Sequence, residues 1–167
     1  MAKYIMALDS GTTSNRCILF YEKGEVCSVA QKEFTQIFPQ PGWVEHDSGE
    51  IFSTQLEVAK QAIANIGISA ADIAAIGITN QRETTIVWNK YTGQPVYNAI
   101  VWQCRRTAPY CDWLVEQGYV DTIRQRPAWS LTPISPAPKS DGFWKMSPVP
   151  GSRRKTENCC LALWKPG

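Results

Sequence analysis

Asp9-Ser10-Gly11-Thr12-Thr13-Ser14-Asn15-Arg16 decides the fold reading, because it sits between two short apolar runs, residues 4–8 and 17–21. Each run reads as a strand, so the polar octet is the connection between them. Gly11 lets the backbone approach a ligand closely, and successive N–H groups in a tight turn form an anion-binding concavity. The hydroxyls of Thr12, Thr13 and Ser14 and the fixed charge of Arg16 suit phosphate oxygens. Asp9, where the first strand ends, suits a Mg²⁺ ion bound directly or through water. The competing reading is a plain hairpin whose hydroxyls satisfy turn amides.

Working outward, Glu22-Lys23-Gly24-Glu25 predicts a hairpin turn into a third strand near residues 26–34. A proline-marked loop, Phe38-Pro39-Gln40-Pro41-Gly42, follows. Asp47 with Glu50 has capping-box spacing, and Phe52, Leu56, Ala59, Ile63 and Ile66 recur as one helical face ending at Gly67. Residues 74–79 and 84–88 read as strands, with Thr92-Gly93 turning toward another at 95–102. Residues 104–117 read as a second helix stopped by Gly118. Hairpins first, then helix–strand alternation, predict a mixed α/β layer fold.

A chain of 167 residues has room for one ordinary domain. With 44% hydrophobic and 19% charged residues, collagen-like, coiled-coil and wholly disordered classes are excluded. No stretch has the length of a bilayer span, and the run at 4–8 is too short for a signal peptide, so a protein without a secretory address is expected. Cys17, Cys27, Cys104, Cys111, Cys159 and Cys160 show no zinc spacing and read as free thiols of a reducing compartment. The net charge of +2 conceals an asymmetry: residues 127–167 hold six of 17 Lys+Arg, two of 15 Asp+Glu and seven of 11 prolines. Those positive charges are scattered among Pro and Trp without a helical stripe, which argues against a nucleic-acid or membrane patch.

Two further segments carry chemistry. In Thr79-Asn80-Gln81-Arg82-Glu83-Thr84-Thr85, the guanidinium of Arg82 and the carboxylate of Glu83 can bracket vicinal hydroxyls; the plainer alternative is a solvated turn. In Val101-Trp102-Gln103-Cys104-Arg105-Arg106, the Trp102 indole can pack on the C–H face of a polyol. There the plainer alternative is a core tryptophan followed by the solvated start of a helix. His46 has no partner at nucleophile or metal spacing and reads as structural.

Taken together, DSGTTSNR, PGWVEHD before a helix, AIGITNQRETTIVW and NAIVWQCRR resemble, in order and spacing, the N-terminal domain of the glycerol kinases, within the FGGY family of sugar kinases. The resemblance spans residues 1–126. It implies a ribonuclease-H-like, actin-like ATPase fold and transfer of the ATP γ-phosphoryl group, with Mg²⁺, to a terminal hydroxyl of glycerol. It assigns Gly11, Thr12, Thr13, Ser14 and Arg16 to the nucleotide-phosphate loop, and Arg82, Glu83 and Trp102 to glycerol. It also implies a cytoplasmic protein that is homo-oligomeric when intact. Another FGGY sugar kinase, such as a xylulose or gluconate kinase, and a non-catalytic binding module are the alternatives.

After Arg126 the resemblance breaks at Pro127-Ala128-Trp129-Ser130. Back-translated with suitable codons and read from each third base, residues 127–167 permit Gly-Leu-Val-Ile-Asp-Ala-Tyr-Phe and a further glycerol-kinase-like stretch. The expectation is therefore a one-base shift near codons 126 and 127, leaving an irregular or disordered tail rich in helix-breaking proline. In the family, the general base is an aspartate that the resemblance matches to no residue of this chain. The 167-residue chain is thus expected to be catalytically inactive.

Overall fold

The computed structural model describes residues 4–124 and 159–163. In chain order these form β1 (Tyr4–Ser10), β2 (Ser14–Phe20), β3 (Val26–Glu33), β4 (Glu45–His46), α1 (Ser48–Asn65), a 3₁₀ turn (Ala70–Asp72), β5 (Ile73–Thr79), β6 (Thr85–Asn89), β7 (Ala99–Ile100), α2 (Ala108–Glu116), α3 (Val120–Arg124) and β8 (Cys159–Leu163). They divide into two compact units, one from residues 1–35 and 49–81, the other from residues 36–48 and 82–167. Among the described residues no helix is long and apolar enough to cross a membrane.

The first unit is built on a four-stranded sheet of order β3-β2-β1-β5. Period-2 alternation sets its two faces. Asn15, Cys17 and Leu19 of β2 are buried, while Ser14, Arg16 and Ile18 lie half-exposed on the opposite side. The turn into β3 forms as expected: Gly24 takes φ +85° and its N–H donates to the Tyr21 carbonyl at 2.9 Å. Met6, Cys17, Leu19 and Ala30 pack against Val58 and Ala62 of α1. Burial pushes the Cys17 thiol up to about 11, so this cysteine behaves as a small hydrophobe. Ser28 donates to the Ala62 carbonyl at 2.8 Å, fastening the helix to β3.

The helix begins and ends near its sequence signals, with Gly67 at φ +68°, but its buried line differs from the predicted face. Thr54, Val58 and Ala62 point inward, whereas Phe52 is 67% exposed and Leu56 44%. The rest of the predicted face holds: Ala59, Ile63 and Ile66, half-buried, pack against the same core beside Val58 and Ala62. β5 pairs with β1 in parallel, reached through the α1 crossover. Its Ile76 and Ile78, in register with Met6 and Leu8, remain exposed at the sheet edge.

The second unit has a sheet of order β4-β7-β6-β8 and a small core of Val87, Ile100 and Cys104 with Trp43, Val44, Val96 and Tyr97 around it. Two elements depart from expectation. Instead of residues 95–102, β7 holds only Ala99 and Ile100, because the side chains of Tyr97 and Asn98 turn to Glu45 and a turn begins at Val101. The second helix starts at Ala108 rather than residue 104, since Pro109 is tolerated only in a first turn. Its end agrees, with Gly118 at φ +76°. Most of the tail, residues 125–158 and 164–167, lies outside the described residues, and with it most of the predicted irregular segment. Residues 159–163, expected to be irregular, are instead the strand β8, antiparallel to β6 with Asn89 opposite Cys159 and Thr85 opposite Leu163. Cys-Cys-Leu-Ala-Leu is the apolar, proline-free run of that tail, which suits it to a strand.

Candidate functional site

The octet of the first unit is a hairpin connection. β1 and β2 pair up to Ser10 opposite Asn15, and the Gly11 N–H donates to the Ser14 carbonyl at 2.9 Å. A Cβ at Gly11 would stand 2.9 Å from that carbonyl oxygen, so glycine is required by close approach here. Thr13 is exposed at the tip and Thr12 half-buried. Ser14 and Arg16 share the outer face of β2 and are joined through Gln31 of β3: its amide donates to Ser14 Oγ at 3.0 Å and accepts from Arg16 Nε at 3.0 Å. Gln31 carries no local sequence signal; only the pairing of Arg16 with Gln31 across the strands reveals it. Asn15 points the other way and donates to the Ile51 carbonyl at 2.7 Å, while Gln55 donates to the Arg16 carbonyl at 3.2 Å. The start of α1 therefore holds the base of this loop.

Asp9 lies opposite Arg16 on β2 and opposite Thr79 on β5. Because β1 and β5 run parallel, the chain leaves both at the same end of the sheet. Asp9 is a single candidate donor, and among the described residues no group of three ligating side chains can hold a metal.

Arg82, Glu83 and Trp102 all belong to the second unit. Antiparallel β6 and β7 meet with Thr85 opposite Ile100, at the start of one strand and the end of the other. The turn that precedes Thr85 and the turn that follows Ile100 therefore emerge at the same end of the sheet. The first carries Arg82, exposed, and Glu83, half-buried. Glu83 has φ +63° and is the sole non-glycine residue with positive φ among those described. Holding an L-residue there costs about 1 kcal/mol or more, a strain typical of residues whose placement matters. The second turn is closed by the Cys104 N–H donating to the Val101 carbonyl at 2.9 Å and carries half-buried Trp102 at its second position.

Next to this end lies a charge pair that sequence reading overlooked. Arg106, expected in a solvated helix start, is 3% exposed and ion-paired with Glu45, itself 1% exposed. Tyr97 Oη donates to Glu45 Oε1 at 2.7 Å and Asn98 Nδ2 to Oε2 at 2.9 Å. Burial alone would push the Glu45 carboxyl up, but the hydrogen bonds of Arg106, Asn98 and Tyr97, with the Arg106 charge, hold it below the ordinary carboxylate range. Arg106 also lies 3.9 Å from the Trp43 ring centre and donates to Cys104 Sγ at 3.0 Å. His46, fully buried, hydrogen-bonds Gln36 Oε1 at 2.7 Å, in keeping with a structural role.

The family model of the FGGY carbohydrate kinases, N-terminal domain, matches residues 4–162. The chain belongs to the FGGY family of carbohydrate kinases. Among FGGY relatives, the glycerol kinase of Agathobacter rectalis is 66% identical over 157 residues, covering 94% of this chain and 31% of its own length. Glycerol kinase 2 of Thermotoga maritima is 59% identical over 155 residues, with 93% and 31% covered. The crystal structure of Plasmodium falciparum glycerol kinase with ADP superposes with a TM-score of 0.85 at 24% identity, covering 96% of this chain and 32% of that one. Gluconate kinase from Lactobacillus acidophilus gives 0.78 at 22% identity, covering 87% and 29%. The chain therefore spans about a third of the length of the FGGY relatives it matches, and the actin-like ATPase fold expected from the resemblance is the one observed, as a partial domain.

Two outcomes follow, one for Glu83 in its turn and one for Glu45 of β4. Glu83→Gly relieves the left-handed backbone, so it should leave the chain about 1 kcal/mol more stable than Glu83→Ala in urea denaturation. Equal stability of the two would contradict the backbone argument. The folded-state pKa of Glu45 is depressed, so its contribution to stability is complete above the unfolded value of about 4.3 and is lost as pH falls through the lower folded value. At pH 7, Glu45→Gln leaves Arg106 buried without its counter-ion and should cost about 3–5 kcal/mol. The gap between wild type and variant should narrow below pH 4 in thermal scans followed by circular dichroism.

Proposed function

We propose that this chain carries the polyol cradle and the nucleotide-phosphate loop of a glycerol kinase, which transfers the γ-phosphoryl group of ATP to glycerol. The observation that carries the reading is the register of β6 and β7, which brings the Arg82–Glu83 turn and the Trp102 turn to one end of one sheet. There the guanidinium donates to, and the carboxylate accepts from, adjacent hydroxyls of a small polyol, while the indole covers its C–H face. The strained Glu83 backbone supports the same reading. The names borne by relatives at 66% and 59% identity favour glycerol over a larger sugar acid or ketose.

In the first unit, the hydroxyls of Thr12, Thr13 and Ser14, the space at Gly11 and the charge of Arg16 suit nucleotide phosphates. Asp9 suits a Mg²⁺ that arrives with those phosphates and keeps several waters, since one carboxylate is the usual protein share of such a site. When bound, that ion would neutralise charge on the phosphate oxygens. The work of these residues is positioning and electrostatic stabilisation, which phosphoryl transfer mostly requires. Cytoplasmic residence and a homo-oligomeric intact protein belong to the same proposal.

The 167-residue chain alone is expected to form no ADP dependent on added glycerol, measured in a coupled assay with ATP and Mg²⁺. It should still bind glycerol, seen by saturation-transfer NMR, and lose that signal in Arg82→Ala and Glu83→Gln. Preferential binding of xylulose or gluconate would replace glycerol as the substrate, and binding unchanged by both substitutions would overturn the cradle. The one-base shift is part of the proposal for residues 127–167. Resequencing codons 124–130 at the locus should find the missing base or an equivalent lesion, and an intact frame continuing as Pro127-Ala128-Trp129 would remove that reading.

A further inference from the structure

Three ties connect the strand around β4 to the turn that carries Trp102. The Val101 N–H donates to the Val44 carbonyl at 3.2 Å, and the Arg105 N–H to the Gly42 carbonyl at 2.8 Å. The third tie is the side chain of Arg106, which pairs with Glu45, lies over Trp43 and reaches Cys104 Sγ. Cys104 is the last residue of the Trp102 turn, so the guanidinium grips that turn at its closing residue.

A buried ion pair is a poor device for stability, because desolvation of both charges offsets most of their attraction. What it does well is select one geometry. Glu45 accepts from three side chains that come from opposite ends of the β7 region, Tyr97 and Asn98 before it and Arg106 after it. Any slippage of that region leaves a buried carboxylate short of donors, a state far costlier than loss of an apolar contact. Gly42, Val44, Glu45, Tyr97, Asn98, Cys104 and Arg106 all lie in the second unit, as do Arg82, Glu83 and Trp102.

We infer that the buried Glu45–Arg106 pair is the positioning device of the polyol cradle, setting the Trp102 turn at the end of the β6–β7 sheet where Arg82 and Glu83 emerge. Glu45 and Arg106 touch no substrate and act through Trp102, so the inference rests on Trp102 being a wall of the proposed cradle. It adds two residues to those on which specificity depends: Arg106, four positions beyond Trp102, and Glu45, 61 residues before Arg106 in the chain.

The test uses the full 167-residue chain labelled with 5-fluorotryptophan, its Trp102 resonance assigned by Trp102→Phe in ¹⁹F NMR. Glu45→Gln should shift or broaden the Trp102 line while far-UV circular dichroism is retained, and should weaken glycerol binding roughly tenfold. Tyr97→Phe keeps both charges and removes one hydrogen bond; it guards against a Glu45→Gln chain that fails to fold and should move the same line by a smaller amount. Leu19→Ala, which opens a cavity in the other unit's core, is the control that destabilises without moving it. An unmoved Trp102 line in folded Glu45→Gln or Tyr97→Phe would overturn the inference. Absence of glycerol binding in the wild type would instead sink the proposed function, while the resonance still decides the positioning role.

Discussion

A carboxylate withdrawn from water must be met by donors, and in the second unit that demand falls on Glu45. Tyr97, Asn98 and Arg106 answer it, from positions 52, 53 and 61 residues away along the chain. Their convergence explains features that strand propensity leaves open. β7 is cut to two residues because its neighbours are turned toward the carboxylate, and the second helix starts late because Arg106 is drawn inward before Pro109 can open a first turn. The ends of the candidate polyol cradle are thus set by an electrostatic requirement of the core, and only afterwards by the turns that display its side chains.

The first unit obeys a different constraint, the alternation of a sheet packed on one side by a helix. Asn15, Cys17 and Leu19 face α1, which leaves Ser14 and Arg16 on the opposite surface with Gln31 between them. The octet loop therefore has a base tied to the helix through Ile51 and Gln55, while the Thr13 carbonyl at its tip accepts from the Phe34 N–H at 3.3 Å. The parallel pairing of β1 with β5 then sets Thr79 beside Asp9. Ile76 and Ile78 lie exposed on β5, the edge strand of this sheet.

Much of this was legible in the residues. Hairpin and helix ends were marked by Gly24, Gly67 and Gly118, each of which adopts positive φ. The octet, the Arg82–Glu83 turn and the Trp102 turn stood out because polar residues interrupt apolar strands there. The apolar stripe of α1 was half right: Ala59, Ile63 and Ile66 pack on the core as spaced, while Phe52 and Leu56 stay exposed and Thr54, Val58 and Ala62 form the most buried line. Helical spacing states that a face exists; the shape of the opposing sheet states which residues fill it.

The sequence by itself determined the hairpin of the first unit and the ends of its long helix, because those depend on neighbours a few residues apart: glycine at positive φ and alternation along a strand. Tertiary structure alone decided that Arg106 is buried, that Glu45 is its counter-ion, that Gln31 links Ser14 to Arg16, and that Glu83 is held in a left-handed conformation. The first three are pairings of polar groups far apart in the chain, and the fourth is a backbone conformation that no letter of the sequence signals. No local pattern records such a pairing, since a charged residue on a solvated turn and one sealed in a core are written with the same letter.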